Sequence, residues 1–561
     1  MAGKKVFFME NIKQDAYRYA VKNAFFHKGK AEAGAVVGKI IALHPEIEIK
    51  KAMPEILEAV KKVNSMKPAE IESEYKKFEE GYELKPKEKE EGLPKLEFAE
   101  KGGKVITRYS PNPSGAMHLG HARQSILNHD LAKKYKGKFL LRFDDTDPKI
   151  KIPLEKGEEM ILEDLKWLSI KPDSVARASD RFETYYKHMK KAIEMQKAYV
   201  CTCNNEEWKK KKAEGTACEC RDIEKKEQLK RFEKMLKHEY KEEEAVLRIK
   251  TDLQHKDPSI RDWWAAKIVD NPLHPKVKNR HLWPSYNFAS AIDDHEMGIT
   301  LIIRGQEHSQ NTEKQKYLYS YFGWEYPYAI HTGRVKSDIG ALSKSKINEL
   351  MKQKGFLGFS DPRLGTLSAL RRRGFQPEAI REAIIEIGAK TNDTTIEFNK
   401  LADLNRKIVT GSERITFLKE PMRLDVSFAV ETIAEIEGKK FSLKKGTQIF
   451  LVDRKEIEKI GIGKSARIRN AYNVRIVKKD SLQVFAECTG KSLGEMPVIH
   501  WLLKEQSSDL EIWTPEGMIA GLADNRILGK KAGEIVYLEK FGYCRIDSAK
   551  GNKAVLFWAH S

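Results

Sequence analysis

Residues 105–148 constrain the fold more than any other stretch of the chain. Val105-Ile106-Thr107-Arg108-Tyr109 is a short β-branched run, followed by a Pro/Gly loop from Ser110 to Gly115. A helical pattern then runs from about His118 to Tyr135, with apolar Ile126, Leu127 and Leu131. A second apolar run, Phe139-Leu140-Leu141-Arg142-Phe143, ends in Asp144-Asp145-Thr146-Asp147-Pro148. Strand, helix, strand at this spacing predicts a βαβ unit, because parallel neighbours need a crossover between them. Open parallel sheets bind ligands outside the carboxyl ends of their strands, so the loop after Tyr109 is the first place to look for a site.

That loop and the helix start read Pro111-Asn112-Pro113-Ser114-Gly115-Ala116-Met117-His118-Leu119-Gly120-His121. Two histidines three apart lie on one face of the first helical turn. Free N–H groups and a partial positive charge make a helix start a natural phosphate site, and two imidazoles add hydrogen-bond donors. Gly120 has no side chain, so a flat base can approach the backbone. A bare HxGH is as readily a pair of surface or capping histidines; the strand–loop–helix setting favours the phosphate reading. Farther on, Gly340-Ala341-Leu342-Ser343-Lys344-Ser345-Lys346 is a small-residue loop with two lysines. Alone it is an ordinary solvated loop. Beside a phosphate site, Lys344 becomes a cation that can follow charge as it redistributes in a transition state.

The rest of the chain falls into blocks. At about 150 residues per domain, 561 residues suggest three to five of them. Up to about Lys67 the pattern is helical, punctuated by Pro45 and Pro54; Tyr82 to Glu100 is charged and broken by Pro86, Gly92 and Pro94, a linker composition. Asp180 to Asn279 is rich in Lys and Glu and reads as an inserted module. From about Leu418, short strands such as Ile449–Val452, Leu482–Phe485, Val498–Trp501, Ile535–Leu538 and Val555–Trp558 suggest one or two β barrels. The formal net charge is +20, compatible with a well-solvated surface or with a polyanionic partner such as nucleic acid. No apolar stretch approaches the roughly 18 residues of a membrane span, and Val6–Met9 is too short for a leader, so no membrane association is expected and the cytoplasm is the default location.

Four of six cysteines, Cys201, Cys203, Cys218 and Cys220, fall inside twenty residues. As four thiolates they would close a tetrahedral Zn²⁺ site with no open position, hence structural; the alternative is four reduced cysteines on a helical hairpin.

The two loops together resemble the ATP-binding motifs of class I aminoacyl-tRNA synthetases, with His118-Leu119-Gly120-His121 as the first and Leu342-Ser343-Lys344-Ser345 as the second. Ala341 stands where the second motif begins with lysine, while the central Lys344 is present. Thr107–Gly115, Leu141–Pro148, Tyr286-Asn287-Phe288-Ala289-Ser290 and Asp293–Thr300 narrow the resemblance to the glutamyl/glutaminyl subclass. The helical start and β-rich end resemble its archaeal-type glutamyl members. The resemblance implies a multidomain α/β chain. A helical N-terminal domain (1–82) and a charged linker (83–103) precede a Rossmann-like parallel-sheet catalytic domain in two halves (104–180 and 283–346). An inserted tRNA acceptor-binding domain (181–282) separates the halves; a helical stem-contact region (347–412), where Arg371-Arg372-Arg373 would face the tRNA, and a β-barrel anticodon-binding domain (413–561) follow.

It further implies activation of L-glutamate by ATP with Mg²⁺ to the adenylate, then transfer to the 3′ end of tRNA(Glu). His118, His121 and Lys344 would hold the phosphates, with Asn112, Pro113, Gly120, Ser343 and Ser345 completing the ATP site. Arg108, Ser110, Asp144, Tyr286, Ser290 and Arg304 would surround glutamate: Arg108 pairs with a carboxylate, Asp144 with the α-ammonium, and Arg304 with the side-chain carboxylate. Facing glutamine's amide, Arg304 would lose its counter-charge, at a cost of about a few kcal/mol. A structural Arg304, paired with Glu307 or Asp293, is the alternative. Glutaminyl-tRNA synthetase, a tRNA-free nucleotidyltransferase and a non-catalytic tRNA-binding paralogue are the rival functions; charging of tRNA(Gln) with glutamate as well stays open. A monomer is the expected state, and the N-terminal domain is as readily an interaction module for another protein as a stabilising appendage.

Overall fold

The computed structural model describes residues 2–27, 29–43, 49–79, 92–340, 344–492 and 494–561. It divides into two compact units, 1–90 and 91–561.

The N-terminal unit is helical: Ala2–Phe26, Ala33–Leu43, Ile49–Asn64 and Pro68–Glu79. Ile12, Ala16, Ala20, Val36, Ile40, Ile56, Val63 and Ile71 form its core, at helical spacing. Pro54 lies inside the third helix rather than between helices. Only the bond to the carbonyl of Lys50 is forfeited there, one turn from the helix start, so the helix continues. Of the expected linker, residues 83–91 fall outside the described residues.

In the second unit the predicted βαβ forms as β1 (Ile106–Tyr109), α1 (Leu119–Lys134) and β2 (Lys138–Phe143), joined by β3 (Ser174–Arg177). After the insertion come α2 (Tyr286–Glu296), β4 (Leu301–Gly305), α3 (Ser309–Phe322) and β5 (Tyr328–Thr332). The sheet order is β3-β2-β1-β4-β5, every pair parallel. The chain therefore builds outward from β1 in one direction and from β4 in the other, and a crevice opens at the carboxyl ends of β1 and β4, where open α/β sheets hold ligands.

The insertion carries a four-stranded antiparallel sheet, Ala198–Cys201, Val246–Ile249, Trp264–Ile268 and Leu282–Pro284. Its apolar face shares one core with α2 and α3, through Trp283, Phe288, Ile292, Leu318 and Tyr319. The last third is two seven-stranded, barrel-like sheets, each around its own core. The expected strands all appear there, except that Val498–Trp501 is split into Val498–Ile499 and Trp501–Leu502, which belong to opposite ends of one sheet. Trp501 is core, packed edge-on against Phe441 and Phe450.

The triple-arginine run does not form a basic face. Helix Leu367–Arg373 ends with Arg373 fully buried, its Nε and Nη2 donating to the carbonyls of Trp558 and Ala559 in the last strand. Phe375, Phe398 and Trp558 surround its guanidinium. Arg372 forms a two-bond pair with Asp547, and Arg371 reaches Glu163 and Asp164. The run is a clasp between this helix and its neighbours, which a charge count along the chain does not reveal. Arg373→Ala strips two buried carbonyls of their donor and leaves a cavity, so a loss of about 2–4 kcal/mol is expected, seen as a lowered thermal midpoint; Arg371→Ala, at a part-exposed ion pair, should move it by much less.

Candidate active site

Strand alternation decides which residues of β1 reach the crevice. Thr107 and Tyr109 face α1, where Thr107 Oγ1 donates to the Asn128 carbonyl. Arg108 projects to the other face, toward α2. There it meets Asp294, Nε to Oδ1 at 3.0 Å and Nη2 to Oδ2 at 3.2 Å. Arg142 of β2 donates to the same Asp294 (2.7 Å), to Asp144 (2.8 Å) and to Ser290 Oγ (3.0 Å). Asp293 takes Arg181 and the Tyr185 hydroxyl, both at 2.6 Å. Three arginines and three aspartates thus interlock between two strands, α2 and the insertion. Burial alone would favour protonated Asp294, but Arg108 and Arg142 outweigh it and hold its pKa below the ordinary value.

A cavity of about 920 Å³ lies over the carboxyl ends of the strands. Of the residues expected around an amino acid, Arg108, Ser110, Asp144, Tyr286 and Arg304 line it. Ser290 does not; its hydroxyl is spent on Arg142, in the network beneath. Asp144 has one oxygen on Arg142 and the other, Oδ2, buried without a partner, and burial raises its pKa to about 6. Ser110 Oγ is also buried without a partner.

The two arginines of the cavity differ in electrostatic state. Arg108 is neutralised by Asp294. Arg304, 5% exposed at the end of β4, touches neither Glu307 nor Asp293, and no carboxylate among the described residues lies within ion-pair distance of it. Its Nη2 donates to Thr312 Oγ1 (2.6 Å), Gln315 Oε1 (3.0 Å) and the Tyr326 hydroxyl (3.1 Å). Its Nη1 has only the Tyr286 hydroxyl at 3.5 Å, and Nε is buried with no acceptor. An unpaired buried cation facing a cavity is an anion site by construction.

The histidine loop forms the opposite wall. His118 caps α1, its Nδ1 accepting from Gly120 N–H at 3.1 Å. An accepting Nδ1 carries no proton, so the neutral ring has its N–H at Nε2. The rings of His118 and His121 lie 4.0 Å apart. Burial lowers the pKa of both, His121 to about 3 with a further push from His118, so both are neutral donors. Gly120 is required for a second reason: a Cβ there would lie 2.9 Å from the His118 ring. Asn112 lines the cavity, tied to the Asp144 carbonyl through Nδ2; Pro113 does not line it, but its carbonyl takes the Leu154 N–H and packs so closely on Gly157 that a Cβ there would sit 2.0 Å away. The loop is also stitched to helix Leu367–Arg373, since Met117 accepts from Leu367 N–H (2.8 Å) and His118 bridges Thr366. Arg123 of α1 fastens the carbonyls of Gly333, Gly388 and Lys390.

Of the second motif, Ser343 lies outside the described residues, as do the side chains of Lys344 and Ser345; Lys344 begins helix Lys344–Met351. Thr312, Gln315, Tyr326 and Asp294 escaped the sequence reading. Asp294 sat in a recognised motif without a role, whereas Thr312 and Gln315 look like any polar helical pair.

The cysteines converge. Sγ of Cys201 and Cys218 are 3.9 Å apart, those of Cys203 and Cys220 3.7 Å, and Cys201, Cys203 and Cys218 lie mutually within 4.8 Å. A tetrahedron with about 2.3 Å metal–sulfur bonds has edges of about 3.8 Å; Cys201, Cys203 and Cys218 form a three-sulfur group near that size, and Cys220 stands beside it through Cys203.

The sequence model described as tRNA synthetases class I (E and Q), catalytic domain, matches residues 104–410. A glutamate–tRNA ligase of Pyrococcus abyssi is 45% identical over 98% of this chain and 100% of its own, and one of Sulfurisphaera tokodaii 41% identical over the same shares. A solved glutamate tRNA ligase from Elizabethkingia meningosepticum aligns over 55% of this chain and 70% of its own, at 23% identity and a TM-score of 0.40. A family match over more than half the chain, with relatives of that identity along nearly all of it, places this protein among the class I tRNA synthetases of the E and Q group, as a glutamate–tRNA ligase of the archaeal type.

Proposed function

We propose that the cavity activates L-glutamate with MgATP to glutamyl-adenylate, which then passes its glutamyl group to the 3′-terminal hydroxyl of tRNA(Glu). The observation that carries this reading is Arg304, a buried guanidinium in the cavity wall with neutral partners only. Glutamate's side-chain carboxylate supplies the missing charge, and glutamine's amide does not. Asp144 Oδ2, likewise unpartnered, takes the α-ammonium, and Arg108, with Ser110, faces the α-carboxylate.

Two anions must meet for the α-carboxylate to attack the α-phosphorus, so the protein contributes position and positive potential rather than a covalent group. His118 and His121 donate to phosphate oxygens as neutral rings, adding direction without a second titrating charge. Lys344, flanked by Ser343 and Ser345 in sequence, would supply the cation that follows the phosphate charge, and Mg²⁺ bound to ATP would supply further positive charge there. Residues 104–180 and 283–346 are the catalytic halves, 181–282 guides the acceptor end, and 413–561 reads the anticodon. The four cysteines hold a structural zinc that sets the shape of the insertion.

Aminoacylation of tRNA(Glu) and tRNA(Gln), with radiolabelled glutamate and glutamine supplied separately, tests the reading. Glutamate alone should be attached, and Arg304→Ala should lower kcat/KM for glutamate by roughly 1,000-fold or more; attachment of glutamine by the wild type would refute it. Label on tRNA(Gln) would mark a non-discriminating enzyme.

The pH dependence follows from Asp144. Only its charged form pairs with the α-ammonium, and its pKa is raised to about 6. kcat/KM for glutamate, which reports the free enzyme, should therefore fall as pH drops through about 6, a limb on which neither substrate charge titrates. A flat profile from pH 8 to 5 contradicts the assignment.

For the metal, one zinc per chain is expected by elemental analysis, and Cys203→Ser should lose it and lower the thermal midpoint. Stoichiometric absence of zinc from protein purified without chelator would leave four reduced thiols as the correct description.

A further inference from the structure

Arg304 keeps its charge for the ligand because every side chain it is hydrogen-bonded to is neutral, and Gln315 is the one of them that a carboxylate could replace without change of shape. Gln315 is wholly buried on α3. Its Oε1 receives two donors, Arg304 Nη2 at 3.0 Å and the Tyr326 hydroxyl at 2.9 Å, while its Nε2 has no acceptor. Two converging donors fix which end of the amide faces Arg304, and the orphaned Nε2 shows that an amide is not what hydrogen bonding at this position requires. A carboxylate has the same shape and would keep both bonds, exchanging the orphan donor for an oxygen in the same place. By the count of hydrogen bonds made, glutamate would serve as well here. What it would change is charge: it would give Arg304 an internal partner at hydrogen-bond distance.

The surroundings follow the same rule. Thr312 Oγ1 stands between Arg304 Nη2 and His331 Nε2, at 2.6 and 2.9 Å. Burial, reinforced by Arg304, lowers the pKa of His331 and brings that of His308 to about 4, so both rings are neutral. Tyr286 and Tyr326 present hydroxyls.

We infer that Gln315 is a specificity-determining positioning residue: by holding Arg304 with a neutral acceptor it leaves the guanidinium uncompensated, and this sets the preference for glutamate over glutamine. The inference rests on the reading that Arg304 binds the substrate's side-chain carboxylate.

The test is steady-state aminoacylation of tRNA with glutamate and with glutamine by the full-length wild type, Gln315→Glu, Gln315→Met and Arg304→Ala. For Gln315→Glu, KM for glutamate should rise by roughly 100-fold, with kcat and the KM values for ATP and tRNA changed by less than about threefold, and the glutamate/glutamine ratio of kcat/KM should fall by a similar factor. Gln315→Met, which deletes the acceptor without adding charge, should raise KM for glutamate by no more than about 10-fold. Equal effects of Glu and Met, or an unchanged KM in Gln315→Glu, overturn the inference, because shape rather than charge would then be in control. Thr312→Asp places a carboxylate on the same Nη2 by another route and should reproduce Gln315→Glu. Each carboxylate variant gives a buried cation its counter-ion, so both should melt at or above the wild-type temperature; a lowered midpoint in both also overturns it. If Arg304→Ala keeps its glutamate activity, the underlying reading fails instead; if Arg304→Ala is impaired while Gln315→Glu is not, only the present inference does.

Discussion

The catalytic half of this protein is organised around one buried ion network. Arg108 and Arg142 come from adjacent strands, Asp294 and Asp293 from the helix packed across them, Arg181 and Tyr185 from the segment that leads into the insertion. Such a cluster is a poor source of net stability, since desolvation of the charges offsets most of their attraction. Its value is geometric. Arg108 grips both oxygens of Asp294 and Arg142 donates to Asp294, Asp144 and Ser290, so shifting the carboxyl ends of β1 and β2 against the helix would strand a charge, at a cost of about 3–5 kcal/mol. The amino-acid side of the cavity inherits that rigidity, because Asp144 hangs from the same guanidinium that grips Asp294.

The second principle is contrast. Two arginines face one cavity, and the fold treats them oppositely. Arg108 is matched by Asp294, whereas Arg304 has only neutral hydrogen-bond partners, which is what suits it to the receptor role proposed above. A small change in chemistry separates these states, a carboxylate against an amide or hydroxyl at hydrogen-bond distance. The histidine loop shows the same economy: burial lowers the pKa of His118 and His121, so they line the cavity as neutral hydrogen-bonding rings.

Much of this was legible in the chain. The βαβ unit, the helical start, the insertion and the β-rich end all follow from periodicity and punctuation, and the HxGH loop was visible because proline, glycine and histidine occupy positions where backbone geometry tolerates few alternatives. Arg304 was expected at the amino-acid site and does line the cavity, while its separation from Glu307 and Asp293 could only come from three dimensions. The errors have a common cause. Ser290 was placed beside the ligand by the resemblance, but a matched motif does not tell how deep in a wall a residue sits, and its hydroxyl is taken by Arg142. Arg371–Arg373 was expected to face the tRNA because its stretch resembles a tRNA-contacting region; Asp547, Trp558 and Ala559, which hold Arg372 and Arg373, lie some 175 or more residues away in sequence. Gln315 was invisible because its importance lies in a charge it does not have.

The stitching of helix Leu367–Arg373 has a mechanical side. Seven helical residues make a rod about 10 Å long. One end is hydrogen-bonded to Met117 and bridged to His118, and the other is clamped by Arg373 to the carbonyls of the final strand. No slack lies between these anchorages. The His118 loop and the final strand are thus hydrogen-bonded to the two ends of one short helix, so a change in the setting of either bears on the other through about two turns of backbone.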